Sequence, residues 1–129
     1  MSDTERAGIA ILRIGLGLFL LLWSVDKIVV PEATAGIFDH FYHLSIPVGL
    51  APAIGGVEAI LSLAIIAGLW KTVTYGVGLA LHAISTLSTI PRLLDPFGDN
   101  HLFIAGIPVL AAFVALFLLR ERDTLWTVG

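Results

Sequence analysis

No cysteine occurs in this chain. Disulfides, thiolate metal sites and dithiol redox chemistry are thereby excluded, and cysteine usage gives no clue to the redox compartment. Charge is scarce as well. Only 13% of residues are Asp, Glu, Lys or Arg, against about 25% in an ordinary soluble domain. No Lys/Arg-rich run is present, so nucleic acid is not an expected partner. There is no Gly-rich phosphate loop and no nucleophile elbow. Gly15, Gly17, Gly55 and Gly56 read instead as packing glycines.

What the chain has in excess is apolar surface: 57% of its 129 residues are hydrophobic, above the 45–50% of a soluble domain. That excess must face lipid, and the length suits one domain, residues 1–129. A membrane helix needs about 20 mainly apolar residues. Four stretches qualify, roughly Gly8–Val30, Pro47–Leu69, Val73–Ile90 and Leu102–Leu119. Pro31, Pro47, Pro91 and the turn-forming Pro96–Asn100 punctuate them. The expected fold is all-α, an integral membrane four-helix bundle. Spans two and three are expected to form a tight antiparallel hairpin, and the other two connections to be longer polar loops.

An even number of spans puts both termini on one face, with Arg6, Arg13, Lys71, Arg120 and Arg122. The other face has only Lys27 and Arg92. The positive-inside rule then predicts cytoplasmic termini, and the expected location is a bacterial inner membrane. The weak net charge of −3 is split between the faces and says little about partners. Ala33-Thr34-Ala35 before Gly36 faintly resembles a signal-peptide cleavage site. The N-terminus is not clearly basic and Asp26 and Lys27 interrupt the run, so the segment reads as a first span.

Ionisable residues inside a membrane span are costly, and each is a candidate site residue. Arg13, Glu58 and His82 are the three. Steps of three and four share a helix face. They give stripes Arg13, Gly17, Leu20, Ser24, Lys27 in span one; Ala51, Gly55, Glu58, Ser62, Ile65 in span two; and Tyr75, Gly78, His82, Ser85, Thr89 in span three. Small and polar residues of this kind line interhelical faces in membranes. Glu58 and His82 lie at similar depth, so a contact between them is possible, and both are candidates for proton transfer. Lys27, Ser24, Ser62, Ser85, Thr89 and Arg92 are candidate substrate contacts, lining a polar pocket that opens outward from mid-membrane. Arg13 is expected to snorkel to the inner interface; the alternative is an ion pair with Glu58. His40 and His43, with Asp39 beside them and Asp99 and His101 in the second outer loop, are weak metal candidates and read more simply as solvated loop residues. Only His82 lies in a span, which disfavours a bis-histidine haem.

The chain resembles the DoxX-like family of small four-helix membrane proteins. The residues carrying the resemblance are Arg13–Gly17 (Arg-Ile-Gly-Leu-Gly), Lys27 at the outer end of the first span, Gly55–Glu58 (Gly-Gly-Val-Glu), and Ala67-Gly68-Leu69 before a basic turn. It extends over about residues 6–120. The chain departs from the family pattern at Ser24–Lys27, where a glycine usually precedes the lysine. The resemblance implies a four-helix bundle linked to membrane oxidoreductase systems, including thiosulfate:quinone oxidoreduction and oxidative-stress assemblies; other relatives look like assembly proteins. It supports Glu58 and Lys27 as family-like positions. The leading expectation is therefore a membrane subunit of a redox system, binding a quinone or small polar substrate, with electrons passing between bound molecules or supplied by a partner protein. The alternatives are a proton-coupled small-solute transporter and a non-catalytic assembly or scaffold partner. Small-residue faces also make a homo-oligomer plausible.

Overall fold

The computed structural model describes residues 1–128. They form helices α1 (Asp3–Val29), α2 (Pro31–Tyr42), α3 (Leu50–Ala67), α4 (Lys71–Ser88), the short α5 (Ile90–Leu93) and α6 (Gly106–Leu118). Tight 3-10 turns at Gly98–Ala105 and Arg120–Arg122 flank α6, and no strand occurs among the described residues. Three helical segments are long and apolar enough to cross a membrane: Asp3–Val29, Leu50–Ala67 and Gly98–Leu118. The α4 helix matches α3 in length at 18 residues but is less apolar. Its polar residues Thr74, Tyr75, His82 and Thr86 turn inward and are buried, while Val73, Val77, Ile84 and Leu87 face outward.

Helix ends follow local chemistry. Ser2 caps α1 by accepting from the Glu5 amide, the usual role of an N-cap hydroxyl. Pro31, which cannot extend a preceding helix but suits a first turn, opens α2. Thus the first connection, expected as a polar loop, is largely helical. The hydrophobic residues Ile37, Phe38 and Phe41 recur along it with helical spacing, and the faint cleavage pattern Ala33–Gly36 lies inside it. Gly68 closes α3 in the left-handed region at φ 67°, where glycine is favoured. An added Cβ there would also stand 2.7 Å from the Thr127 side chain.

The most extensive pairings are α1 with α3 and α4 with α6, whereas α3 and α4, joined by Gly68–Trp70, touch much less. The expected α3–α4 hairpin is therefore adjacent in sequence but is not the principal contact. The reason is side-chain size. Gly17 lies where a Cβ would be 2.5 Å from Ile66 Cγ1, and Gly55 where a Cβ would be 2.6 Å from the Ser24 carbonyl oxygen. Two glycines, one on each helix, thus let the α1 and α3 backbones approach. The apolar centre comprises Ile9, Leu16, Ile65, Tyr75, Phe113 and Leu116. Large apolar side chains elsewhere face outward, among them Ile11, Val57, Ile60 and Leu118, as a lipid-facing surface requires.

The N-terminal turn, the α3–α4 connection and the C-terminal tail gather at one end of the bundle. Glu5 and Gly8 flank the same groove as Leu119 and Arg122, and the Val128 amide donates to the Ala67 carbonyl at 2.9 Å. The opposite end carries α2, α5 and the Gly98–Ala105 turn.

Candidate functional site

Polar residues fall into four groups in the structure, not one continuous pocket. The first follows from the α1–α3 approach. Where Gly55 brings the backbones together, Lys27 Nζ donates to Glu58 Oε2 at 2.7 Å. Their side chains are 16% and 20% exposed. Below the pair, Ser24 Oγ donates to the Leu20 carbonyl and Ser62 Oγ to the Glu58 carbonyl, each at 2.7 Å. The two hydroxyl oxygens then stand 3.5 Å apart across the interface. Each serine is thus occupied by its own helix, and the pair serves as interhelical packing. Lys27→Met and Glu58→Gln should be non-additive in unfolding experiments on detergent-solubilised protein. The expected coupling is about 1 kcal/mol, between surface ion pairs and the stronger membrane hydrogen bonds. Strict additivity would show that the ion pair contributes nothing to stability.

His82 belongs to a second group. Its Nε2 lies 3.1 Å from Thr86 Oγ1 and 3.2 Å from the Gly106 carbonyl oxygen. A carbonyl can only accept, so the contact assigns the proton to Nε2. The ring stacks on Phe113 at 5.3 Å and meets Phe19 edge-on at 5.5 Å. His82 therefore ties α4 to α6 and α1. The Glu58–His82 contact allowed by their depth is not formed: Glu58 is drawn to Lys27 on α1, while His82 faces α6.

Arg13 departs furthest from expectation. It neither snorkels nor pairs with Glu58; it is completely buried. Its Nη1 donates to Asp123 Oδ1 at 2.5 Å, Nε to the Ile66 carbonyl at 3.1 Å, and Nη2 to the Trp126 carbonyl at 3.0 Å. Tyr75 donates its hydroxyl proton to Asp123 Oδ2 at 2.6 Å. One carboxylate thereby joins α1, α4 and the tail, while Arg13 adds α3. Sequence reasoning missed Asp123, which sits just beyond the basic Arg120–Arg122 turn and reads there as an interfacial acid. The available signal was the demand of an arginine inside a span for a carboxylate. Periodicity could not choose among the ten acidic residues.

The fourth group lines a cleft of about 410 Å³ at the end of the bundle carrying α2 and α5. Its walls include His40, Phe41, Arg92, Asp95 and Asn100. Arg92 is its organising residue. Nη1 donates to Asn100 Oδ1 at 3.3 Å and Nη2 lies 2.9 Å from His40 Nε2. The guanidinium carbon is 5.9 Å from the Phe41 ring centre and 6.0 Å from that of Phe103, within cation–π range. Ser88 and His43 complete the polar lining. Of the substrate contacts expected from sequence, Arg92 alone lines this cleft. Ser85 is exposed on α4, and Thr89 Oγ1 donates to the Thr86 carbonyl at 2.7 Å. Lys27, Ser24 and Ser62 belong to the α1–α3 interface. The cleft thus lies beside α2 and α5, apart from the α1–α3 interface that holds Lys27, Ser24 and Ser62. Asn100 and Phe41 were missed because both read as residues of polar loops.

The three weak metal candidates are not brought together. His40 faces Arg92, His43 lies elsewhere in the cleft wall, and His101 Nδ1 is held against the Gly98 carbonyl within its own turn. Among the described residues, no cluster of three or more His, Cys, Asp or Glu side chains could hold a metal.

The DoxX family model aligns with residues 8–91, nearly two thirds of the chain, from α1 into α5. It includes Arg13, Lys27, Glu58 and His82, and ends before Arg92, Asn100 and Asp123. No curated protein and no solved structure matches the chain.

Proposed function

Since the chain belongs to the DoxX family, we propose that it serves as the membrane subunit of a redox-linked system, taking a quinone head group or small polar substrate in the cleft around Arg92. The protein is a helical membrane protein with lipid as its environment. In this reading residues 1–129 form one membrane domain crossed by α1, α3, α4 and the Gly98–Leu118 segment. The inward polar face of α4 explains its lower apolarity and supports counting it as the fourth crossing. The termini face the cytoplasm of a bacterial inner membrane, because Arg6, Lys71, Arg120 and Arg122 gather at their end.

The observation carrying this reading is the Arg92 arrangement. Asn100, His40 and two aromatic rings hold the guanidinium beside an open cavity. Its volume falls in the range of small-molecule sites, about 300–1,000 Å³. No redox centre comes from the side chains, so electrons pass between bound molecules or from a partner protein. Lys27 is engaged by Glu58, which leaves Arg92, of the two cations expected to hold a head group, as the proposed ligand contact. The same pairing supports the redox reading over a proton-coupled carrier built on a Glu58–His82 pair.

One observation favours a second reading, a non-catalytic assembly partner. Among the described residues, no buried side-chain nitrogen or oxygen lacks a hydrogen-bond partner, as expected of polar groups that hold a bundle together. Native mass spectrometry with quinone extraction, on protein purified in mild detergent, separates the two. The redox reading expects a retained quinone or small ligand in the unsubstituted protein, lost in Arg92→Gln and kept in Ser85→Ala. Ligand-free protein that carries a second membrane protein through purification supports the assembly reading instead.

A further inference from the structure

Arginine has no acceptor, so in the Arg92–His40 contact the guanidinium donates and His40 Nε2 must accept. The imidazole is neutral in this arrangement, its proton on Nδ1. Protonating Nε2 would turn acceptor into donor and set two cations face to face. An anion between them would remove that conflict, because each cation could donate to a different oxygen. Arg92 has donors to spare: one on each terminal nitrogen is used by Asn100 and His40, leaving the rest of its five.

We propose that this cleft is a proton-linked phosphodiester site, in which Arg92 and a protonated His40 each bind one non-bridging oxygen of the anion. The proposal rests on reading the cleft as the ligand site and names the chemical class it selects. Binding takes up one proton from solvent onto His40, and no covalent bond changes. The other charged or titratable groups around His40 are Asp95, which follows α5, His43 at the end of α2, and Asp39 beside it on its own helix. Asp39 lies 3.5 Å from the Ser45 hydroxyl. Asp95 lines the cleft and opposes an anion; His43, when protonated, assists one. From the Gly98–Ala105 turn the cleft receives neutral Asn100, while Asp99 and His101 are exposed. Leu94 and Phe97, on either side of Asp95 in sequence, are 81% and 82% exposed. Both lie within two residues of Asp95, which lines the cleft, and so offer acyl chains an apolar surface, as a phospholipid requires. A free phosphodiester offers the same anionic group without the chains.

The test uses full-length protein in mild detergent and calorimetric titration with dimethyl phosphate, which keeps one negative charge throughout the range studied. Affinity should rise as pH falls, by up to about tenfold per pH unit when one proton is taken up. Arg92→Gln should weaken binding about tenfold or more, as loss of a charge-assisted pair does, with Arg92→Lys intermediate. His40→Gln should flatten the pH dependence. Asp95→Asn should tighten binding and keep the pH slope, a gain that a misfolded variant cannot produce. A parallel native mass spectrometry arm compares retention of phosphatidylglycerol with phosphatidylcholine. Arg92-dependent phosphatidylglycerol retention assigns the site to a lipid head group; dimethyl phosphate binding without lipid retention assigns it to a free phosphodiester. Binding that is absent in both arms, or equal in Arg92→Gln, overturns the proposal. A short-tailed quinone titrated on the same preparations separates the two levels. Arg92-dependent quinone binding without phosphodiester binding leaves the cleft as the ligand site and removes its anion preference; if neither binds, both fall.

Discussion

Asp123→Ala should cost about 3–5 kcal/mol of stability, the range for removing one partner of a buried ion pair. Arg13 and Asp123 side chains are both completely buried, so loss of the carboxylate strands a guanidinium with only the Ile66 and Trp126 carbonyls as acceptors. Tyr75 loses its acceptor at the same time. Reversible unfolding of detergent-solubilised protein measures the effect. Tyr75→Phe should cost less, about 1.5–3 kcal/mol, the value of one hydrogen bond to a charged group. The paired variant Arg13→Met/Asp123→Leu should recover much of the loss, because removing both charges also removes their desolvation. Stability of Asp123→Ala within about 1 kcal/mol of the unsubstituted protein would mean that the tail does not supply Arg13's counter-charge.

Gly55→Val should be the most damaging single substitution on the α1–α3 face. Even the first added carbon meets the Ser24 carbonyl oxygen at 2.6 Å, with Ile28 Cγ1 at 2.9 Å and Lys27 Cβ at 3.0 Å. A backbone oxygen cannot rotate away as a side chain can, so the helices must separate. Overpacking of this kind costs about 1–3 kcal/mol, and more where nothing yields. Separation also lengthens Lys27–Glu58, so coupling between those residues should vanish in the Gly55→Val background. Gly56→Val is the control, since a Cβ there meets nothing within 4 Å. Equal unfolding midpoints for the Gly55 and Gly56 variants would contradict the close approach. Gly17→Ala should be milder than its shortest distance suggests, because the nearest atom, Ile66 Cγ1, belongs to a side chain, although Ile66 N and the Ser62 carbonyl follow at 3.2 and 3.3 Å.

The two predictions probe opposite ends of the α1–α3 pair. At the α2 end, Gly55 brings Lys27 to Glu58; at the tail end, Gly17 and Arg13 meet Ile66. One helix pair thus fixes both the intramembrane ion pair and the anchoring of the tail. The Arg92 cleft lies outside it, built by α2, α5 and the Gly98–Ala105 turn. Variants of the cleft should therefore alter ligand binding with less effect on bundle stability than Asp123→Ala.

The sequence by itself determined the all-helical membrane class, because apolar run length and scarce charge are local properties that no packing arrangement reverses. It determined the family too, through residues clustered in α1 and α3, and it marked the small and polar stripes as interhelical. It also singled out Arg13, Glu58 and His82 as residues needing partners and Arg92 as a candidate substrate contact. Only the tertiary structure decided who those partners are. The sequence offered Glu58 His82 at similar depth, or Arg13, as a partner; helix order in space, set by the Gly17 and Gly55 contacts, selected Lys27. Arg13 found Asp123 110 positions along the chain, after a tail that helical periodicity does not describe. Arg92 met His40 because a stretch that reads as polar loop folds as the helix α2, and met Asn100 because the Gly98–Ala105 turn returns to α5. Each choice depends on which faces touch, and a one-dimensional pattern carries faces without saying which of them meet.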